Sequence, residues 1–420
     1  MLAGIRVVEL AEGVAGPLAA CRLADLGATV VKIESGDGDW TRGCPPFIDG
    51  DTTKGAATSA VFFALNRGKR SLALGRAPAA AGHVLRRLLE SADVFITDRD
   101  AAALAPLGLA GIYEDPCPLN PRLITASISA FGEAGPLADR PGSELGAQAM
   151  AGYTRYLGAY AQPARRLGAD VAGAATATFA TQAILAALLY RKRAGHGQRV
   201  SLSLLNSLLS MKTVHLAAQS DPDEYAGPRV GGANDPPERG WATADSPITF
   251  MFGGAVGREG RPGWAQFVEE IGLGRLLDDP RFDKTGRLTT GLGPTARALK
   301  GEYEQEFVTR SAEDLVAAIR KLGGLAASYL THEQVFADPQ ARALDLVRRV
   351  PATPGDDVPV LAFPGRFSRT RLELRGHAPA IGQHTVAVAT ELGLSAAQID
   401  ELRCTLALRT PEGAGPGANQ

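Results

Sequence analysis

The fold turns on residues 5–34, which read IRVVELAEGVAGPLAACRLADLGATVVKIE. Ile5–Leu10 is a short apolar run of strand length, and AEGVAG is a turn. PLAACRLADLGA then carries apolar residues at helical spacing and closes on Gly27, a residue suited to ending a helix. Thr29–Glu34 forms a second strand, followed by the polar loop SGDGDWTRG. Strand, helix and strand in this order require a crossover connection, which favours a parallel sheet with helices packed on it.

The rhythm continues outward. HVLRRLLESA reads as helix, DVFITD as strand, and PRLITASISAFG as a strand ending in a glycine-bearing turn. The run after Asp170 predicts one long helix terminated near Gly195, with basic residues in its last turn to suit the negative end of the helix dipole. RVSLSLLNSLLS begins as a strand and becomes helical. The Pro/Gly/Asp-rich stretch Ser220–Gly240 marks a crossing into a second domain. That domain carries the strand PITFMFGG and helices around Trp264–Ile271, Thr295–Thr309 and Ala312–Leu322. The expected layout is a large α/β domain over 1–220, a linker and small domain over 221–338, and a return to the large domain over 339–410. A disordered tail is expected over 411–420.

Composition narrows the function classes. With 45% hydrophobic and 21% charged residues, the chain has the make-up of a soluble globular protein. Lys+Arg 44 against Asp+Glu 45 lacks the basic excess that nucleic acid or an anionic membrane would require. Four scattered cysteines, Cys21, Cys44, Cys117 and Cys404, form no CxxC pair, so neither a disulfide framework nor a structural zinc site is expected. With no basic n-region and cleavage site at the start, the expected setting is the cytoplasm. The uncharged run Ala172–Tyr190 approaches membrane-spanning length, but its Ala, Thr and Gln content reads as a buried helix.

Asp170 is the sole acid between Glu144 and Asp221, set among small and apolar residues. A carboxylate at this point can cap the helix that follows. Held partly desolvated at a helix N-terminus, it can also act as an ionised nucleophile.

Six ordered stretches together resemble the family III CoA-transferases of the CaiB/BaiF type, a group that includes carnitine CoA-transferase, formyl-CoA transferase and 2-methylacyl-CoA racemase. They are LAGIRVVELAEGVAGPLAACRLADLGATVVKIES; ALNRGKRSLAL; NPRLITASISAFGEAGPLADRPG with AQAMAGY; GADVAGAATATFATQAILAALLYRKRAGHGQRVSLSLL; DDPRFDKTGRL with FADPQARALDLV; and FPGRFSRT with IGQHTVAVATELGLSAAQIDEL. The resemblance implies a large Rossmann-like α/β domain built from both chain termini, a smaller middle α+β domain and an interlocked homodimer. It implies transfer of coenzyme A from an acyl-CoA to a carboxylic acid acceptor, with no metal. Asp170 would pass through an aspartyl anhydride and an aspartyl-CoA thioester.

By the same resemblance, Glu144 falls at an assisting carboxylate, the alternative being a solvated first-turn residue. Gly253 and Gly254, in FMFGG, fall in a glycine-bearing loop whose N–H groups would meet a developing oxyanion. Coenzyme A contacts are implied for Val14 and Ala15 in the first turn. Lys69, Arg70, Leu74 and Arg76 follow in and after NRGKRS. Asp98 and Arg99 sit where the family has an ENFRPG-like segment and this chain reads TDRDAA. Two acids there repel a polyphosphate unless Arg99 or other cations compensate. Ser143 occupies the place of the racemase histidine, which weighs against a 2-methylacyl-CoA racemase or epimerase. A degenerate, non-catalytic acyl-CoA-binding homologue is the other alternative, opposed by the retention of Asp170.

Overall fold

The computed structural model describes residues 1–35, 37–48, 58–75, 78–115, 117–154, 163–213, 240–252, 262–281, 294–353, 356–372, 374, 376–404 and 408–409. The chain divides into two compact units. One comprises Met1–Tyr153, Leu167–Met211 and Ala343–Gln420, and the other Thr154–Arg166 and Lys212–Arg342.

The first unit threads β1 (Arg6–Leu10), α1 (Ala15–Asp25), β2 (Thr29–Glu34), α2 (Ala60–Asn66), β3 (Arg70–Leu74), α3 (Pro78–Glu90) and β4 (Val94–Thr97). It continues through α4 (Ala101–Leu104), β5 (Ile124–Ser129), α5 (Glu144–Met150), α6 (Val171–Ala194), β6 (Arg199–Ser203) and α7 (Leu204–Met211). Six strands run parallel in the order β3-β2-β1-β4-β5-β6, and the short strand Leu408–Arg409 adds to β3 antiparallel. Successive side chains on a strand point to opposite faces, so each apolar run here feeds two cores. Val8, Val31 and Phe95 pack with Val84, Leu85 and Leu89 of α3. Val7, Val30, Val94 and Ile96 pack on the other face with α1 and α6.

Small side chains let α1 and α6 lie close together. Ala19, Ala20 and Ala24 meet Ala177, Ala180 and Ala187 in one buried layer. By length and composition α6 could cross a bilayer, but in this fold it packs on α1 and on the sheet. Its buried hydroxyls are satisfied within the helix, Thr176 donating to Ala172 O (2.8 Å) and Thr181 to Ala177 O (2.8 Å). Gly195 ends α6 in the left-handed conformation at φ 85°. Arg191, from the basic last turn, folds inward and pairs with Asp93 at 2.8 Å.

The second unit has an antiparallel pair, β7 (Ile248–Met251) and β8 (Leu325–Ser328), with helices Pro262–Glu270, Pro294–Phe307 and Ala312–Lys321. Its core is aromatic, with Trp241, Phe252, Trp264, Phe267, Tyr303 and Phe307 all buried.

Beneath the first turn of the large unit lies a cage of charges that the sequence did not announce. Glu9 and Lys32 are register partners on β1 and β2, and both are fully buried. The Lys32 ammonium reaches Glu9 Oε1 (2.9 Å), Asp39 Oδ2 (2.9 Å) and the carbonyl of Ala11 (2.8 Å). Lys69 donates to Glu9 Oε2 (2.6 Å), Asn66 Oδ1 (2.7 Å) and the carbonyl of Pro17 (2.8 Å). Burial works against both ammonium groups. For Lys32, Glu9 and Asp39 overcome it and hold the group above the usual lysine range. For Lys69 burial wins, leaving it below that range.

The cage corrects one expectation. The resemblance implies that NRGKRS offers cations to coenzyme A, but each N–H of the Lys69 ammonium already has an internal acceptor. Arg67 is likewise buried, bidentate on Asp25 at 2.5 and 2.9 Å. Removing one partner of such a set strands the others in low dielectric. Lys32→Met is therefore expected to cost about 3–5 kcal/mol in urea unfolding. A loss below about 1 kcal/mol would mean the cage carries little of the fold's stability.

Candidate active site

In an open parallel sheet, the crevice for a ligand opens where the strand order reverses, at the carboxyl ends of the strands. Here the reversal falls between β1 and β4, whose last residues, Leu10 and Thr97, are in register. The loops beyond them bring together four residues singled out from the sequence. The Glu12 amide donates to Asp98 Oδ2 (2.9 Å), and Arg99 pairs with Glu12 (2.5 Å) and Asp98 (3.4 Å). Arg99 thus compensates Asp98 and Glu12 at the rim, while Asp100, the second acid of TDRDAA, caps α4 by accepting from the Ala103 amide at 2.7 Å. Val14 and Ala15 form the entry to α1, and the Val14 side chain makes no capping bond there. Gly13 has φ +76° and carries Trp40 against its α-carbon; a β-carbon would meet the indole at 2.9 Å. The cage holds this turn from below through the carbonyls of Ala11 and Pro17, and Asp39 Oδ1 accepts from the Gly13 amide at 3.3 Å.

The start of α6 abuts the same turn. A β-carbon on Gly173 would lie 2.9 Å from both Cβ and Cγ1 of Val14, so glycine is what permits the approach. Asp170 stands at the N-cap of this 24-residue helix, but its side chain makes no capping bond. Glu144 does that work from α5. Its Oε1 accepts from the Ala172 amide (2.8 Å) and its Oε2 from the Gly173 amide (2.9 Å). Such charge-assisted bonds at a helix N-terminus satisfy amides that the helix cannot. Ser143 caps α5 in turn, accepting from the Gly146 amide at 3.1 Å.

Several sequence expectations change here. Asp170 is exposed in the single chain, not desolvated as its apolar neighbours suggested. Glu144, for which an assisting role and a solvated first-turn position stood as alternatives, is half-buried and bonded to α6. Lys69 lies in the interior, and Leu74 is a core residue of β3 packed on α3. Arg70, the first residue of β3, makes a bidentate pair with Glu391 at 2.7 and 2.8 Å. Arg76, Gly253 and Gly254 lie outside the described residues. Sequence reasoning overlooked Gln148, which is fully buried beside Glu144. Its polarity inside an otherwise apolar face of α5 was the available signal. Among the described residues, no group of three or more His, Cys, Asp or Glu side chains is placed to hold a metal ion.

Comparison with known proteins places this geometry in context. The profile of CoA-transferase family III matches residues 2–385. A succinate–glutarate CoA-transferase of Agrobacterium fabrum is 33% identical over 399 residues, covering 93% of this chain and 95% of that protein. A formyl-CoA:oxalate CoA-transferase of Streptomyces avermitilis is 29% identical over 415 residues, covering 94% and 96%. Among solved structures, a CaiB/BaiF family protein from Brucella suis superposes with a TM-score of 0.77 at 30% identity, covering 93% of this chain and 99% of that one.

The contact between Gly173 and Val14 can be tested by itself. Gly173→Ala is expected to cost about 1–3 kcal/mol through overpacking against Val14. Combined with Val14→Gly, the cost should fall short of the sum by about 1 kcal/mol or more in chemical denaturation. Additive costs would show that α6 and the first turn do not press on each other.

Proposed function

Since the chain belongs to CoA-transferase family III, we propose that it moves CoA from an acyl-CoA to a free carboxylic acid with Asp170 as the covalent carrier. The observation that carries this reading is the division of labour at α6: Glu144 holds the amides of Ala172 and Gly173, while Asp170 occupies the capping position without capping. A carboxylate engaged as the helix cap would have to break those bonds before attacking anything. The residue type also fits, because only a carboxylate can become both an anhydride and a thioester.

In the first step one Asp170 oxygen adds to the thioester carbonyl carbon. The C–S bond breaks, and CoA leaves as its thiolate from a mixed anhydride. The thiolate adds to the Asp170 carboxyl carbon and expels the donor acid as a carboxylate, leaving an aspartyl-CoA thioester. The acceptor carboxylate attacks that carbon, displacing the thiolate and forming a second anhydride. Thiolate attack on the acceptor's carbonyl carbon then restores Asp170 and releases the new CoA ester. The positive end of α1, entered through Val14 and Ala15, would favour the thiolate at each of its appearances.

Small dicarboxylates are the first substrates to examine. The Agrobacterium relative is named for succinate and glutarate, and the mouse and human relatives as succinyl-CoA:glutarate CoA-transferases. The same reading includes an interlocked homodimer in the cytoplasm. Leu145 and Met150 of α5, Leu189 and Tyr190 of α6, and Met211 of α7 are exposed apolar residues available for burial in such a dimer.

Incubation with succinyl-CoA and glutarate, followed by mass spectrometry, is expected to yield glutaryl-CoA. Hydroxylamine added during turnover should leave a hydroxamate on the Asp170 peptide, and Asp170→Asn should lose at least about 10³-fold in kcat. Undiminished turnover by Asp170→Asn, with an unmodified peptide, would end the covalent reading. Solvent deuterium entering the α-carbon of a 2-methylacyl-CoA without acyl exchange would assign the chain to racemisation instead.

A further inference from the structure

Gln148 sits where packing alone would favour a hydrocarbon. Its neighbours Ala147, Ala151, Ala172 and Leu208 form a small apolar cluster between α5, α6 and α7. A buried primary amide is costly unless its donors and acceptor are all met. Here they are met. Nε2 donates to Glu144 Oε1 (2.8 Å) and to the carbonyl of Ala169 (3.3 Å), and Oε1 accepts from the amide of Leu167 (3.1 Å). One side chain therefore grips the carboxylate that caps α6 and, at two points, the backbone segment ending at Asp170. The partners also fix the amide's orientation, since a flip would set its oxygen against a carboxylate and a carbonyl.

The backbone of Asp170 differs from that of other helix caps. At five other helix N-caps among the described residues, each accepting an amide through its own side chain, ψ is extended: Ser59 at 128°, Asp100 at 173°, Ser143 at 165°, Ser311 at 154° and Thr331 at 165°. Asp170 has φ −82° and ψ 64°, close to an inverse γ-turn, and its side chain does not cap. The residues immediately before it are the ones that Gln148 holds.

We infer that Gln148 is a positioning residue for the transferase reaction: it fixes Leu167–Ala169 and Glu144 together, so that Asp170 is kept out of the capping conformation. The inference rests on the reading of Asp170 as the covalent carrier. Without the grip, Asp170 relaxes to the extended ψ of an ordinary cap and its carboxylate competes with Glu144 for the amides of Ala172 and Gly173. The helix stays capped in either case, so reactivity changes far more than stability.

The test uses the full-length protein with succinyl-CoA and glutarate, comparing Gln148→Leu with wild type. The expected result is a kcat lowered about 10- to 100-fold, KM for succinyl-CoA within about threefold, and Tm within about 3 °C. The yield of Asp170 hydroxamate after a single turnover should fall in step with kcat. A kcat within threefold of wild type would overturn the inference, as would a loss matched by unfolding or by an equal rise in KM. Gln148→Glu supplies a second arm should the leucine variant fold poorly. Its carboxyl must carry a proton to donate to Glu144, so its kcat should rise from pH 8 to pH 6 relative to wild type. A Gln148→Glu kcat equal to wild type at both pH values would also overturn the inference. Asp170→Asn separates the two claims: if that variant is active, the parent reading falls and this one with it. If it is inactive while both Gln148 variants match wild type, only the role of Gln148 fails.

Discussion

Two backbone amides at the start of α6 and one carboxylate from α5 organise the candidate site. A helix of 24 residues presents unsatisfied N–H groups and partial positive charge at its first turn, and the nearest acid in sequence, Asp170, would ordinarily answer them. Glu144 answers them instead, from 28 and 29 residues away. That substitution of one carboxylate for another separates the structural need of the helix from the chemistry open to Asp170. Gln148 ties the arrangement together by bonding to Glu144 and to the backbone ahead of Asp170.

The other half of the crevice depends on buried charge. Glu9 at the end of β1 receives two ammonium groups, and these donate onward to the carbonyls of Ala11 and Pro17 on either side of the first turn. Asp39 adds an acceptor for the Gly13 amide. A hydrocarbon core could fill this space at similar stability, but it would not fix those backbone groups. The cage therefore gives Val14 a defined place, and the missing β-carbon of Gly173 lets α6 come against it.

Much of the scaffold was legible from local pattern. The strand–helix–strand opening and the long helix from Asp170 to Gly195 lie within about two residues of their expected bounds. Each depends on periodicity and on a terminating glycine, which a single sequence displays. The strand β3 was hidden because the basic run before it resembles a solvated loop. The acceptors that internalise Lys69 come from Glu9 and Pro17, 60 and 52 residues distant, as well as from nearby Asn66. No local window contains them. Asp170 could be located as the start of a helix, but that it leaves the capping to Glu144 depends on a long-range contact between α5 and α6. The ordered resemblance along the chain named the family; it could not reveal which cations of NRGKRS face inward.

The central claim, that Glu144 caps α6 so that Asp170 can carry the acyl or CoA group, is open to direct observation. A crystal soaked with succinyl-CoA and frozen during turnover should show continuous density from the Asp170 carboxyl carbon to the CoA sulfur or the succinyl group. Glu144 should still be bonded to the amides of Ala172 and Gly173. Bound succinyl-CoA with an unmodified Asp170 folded onto those amides would contradict the account.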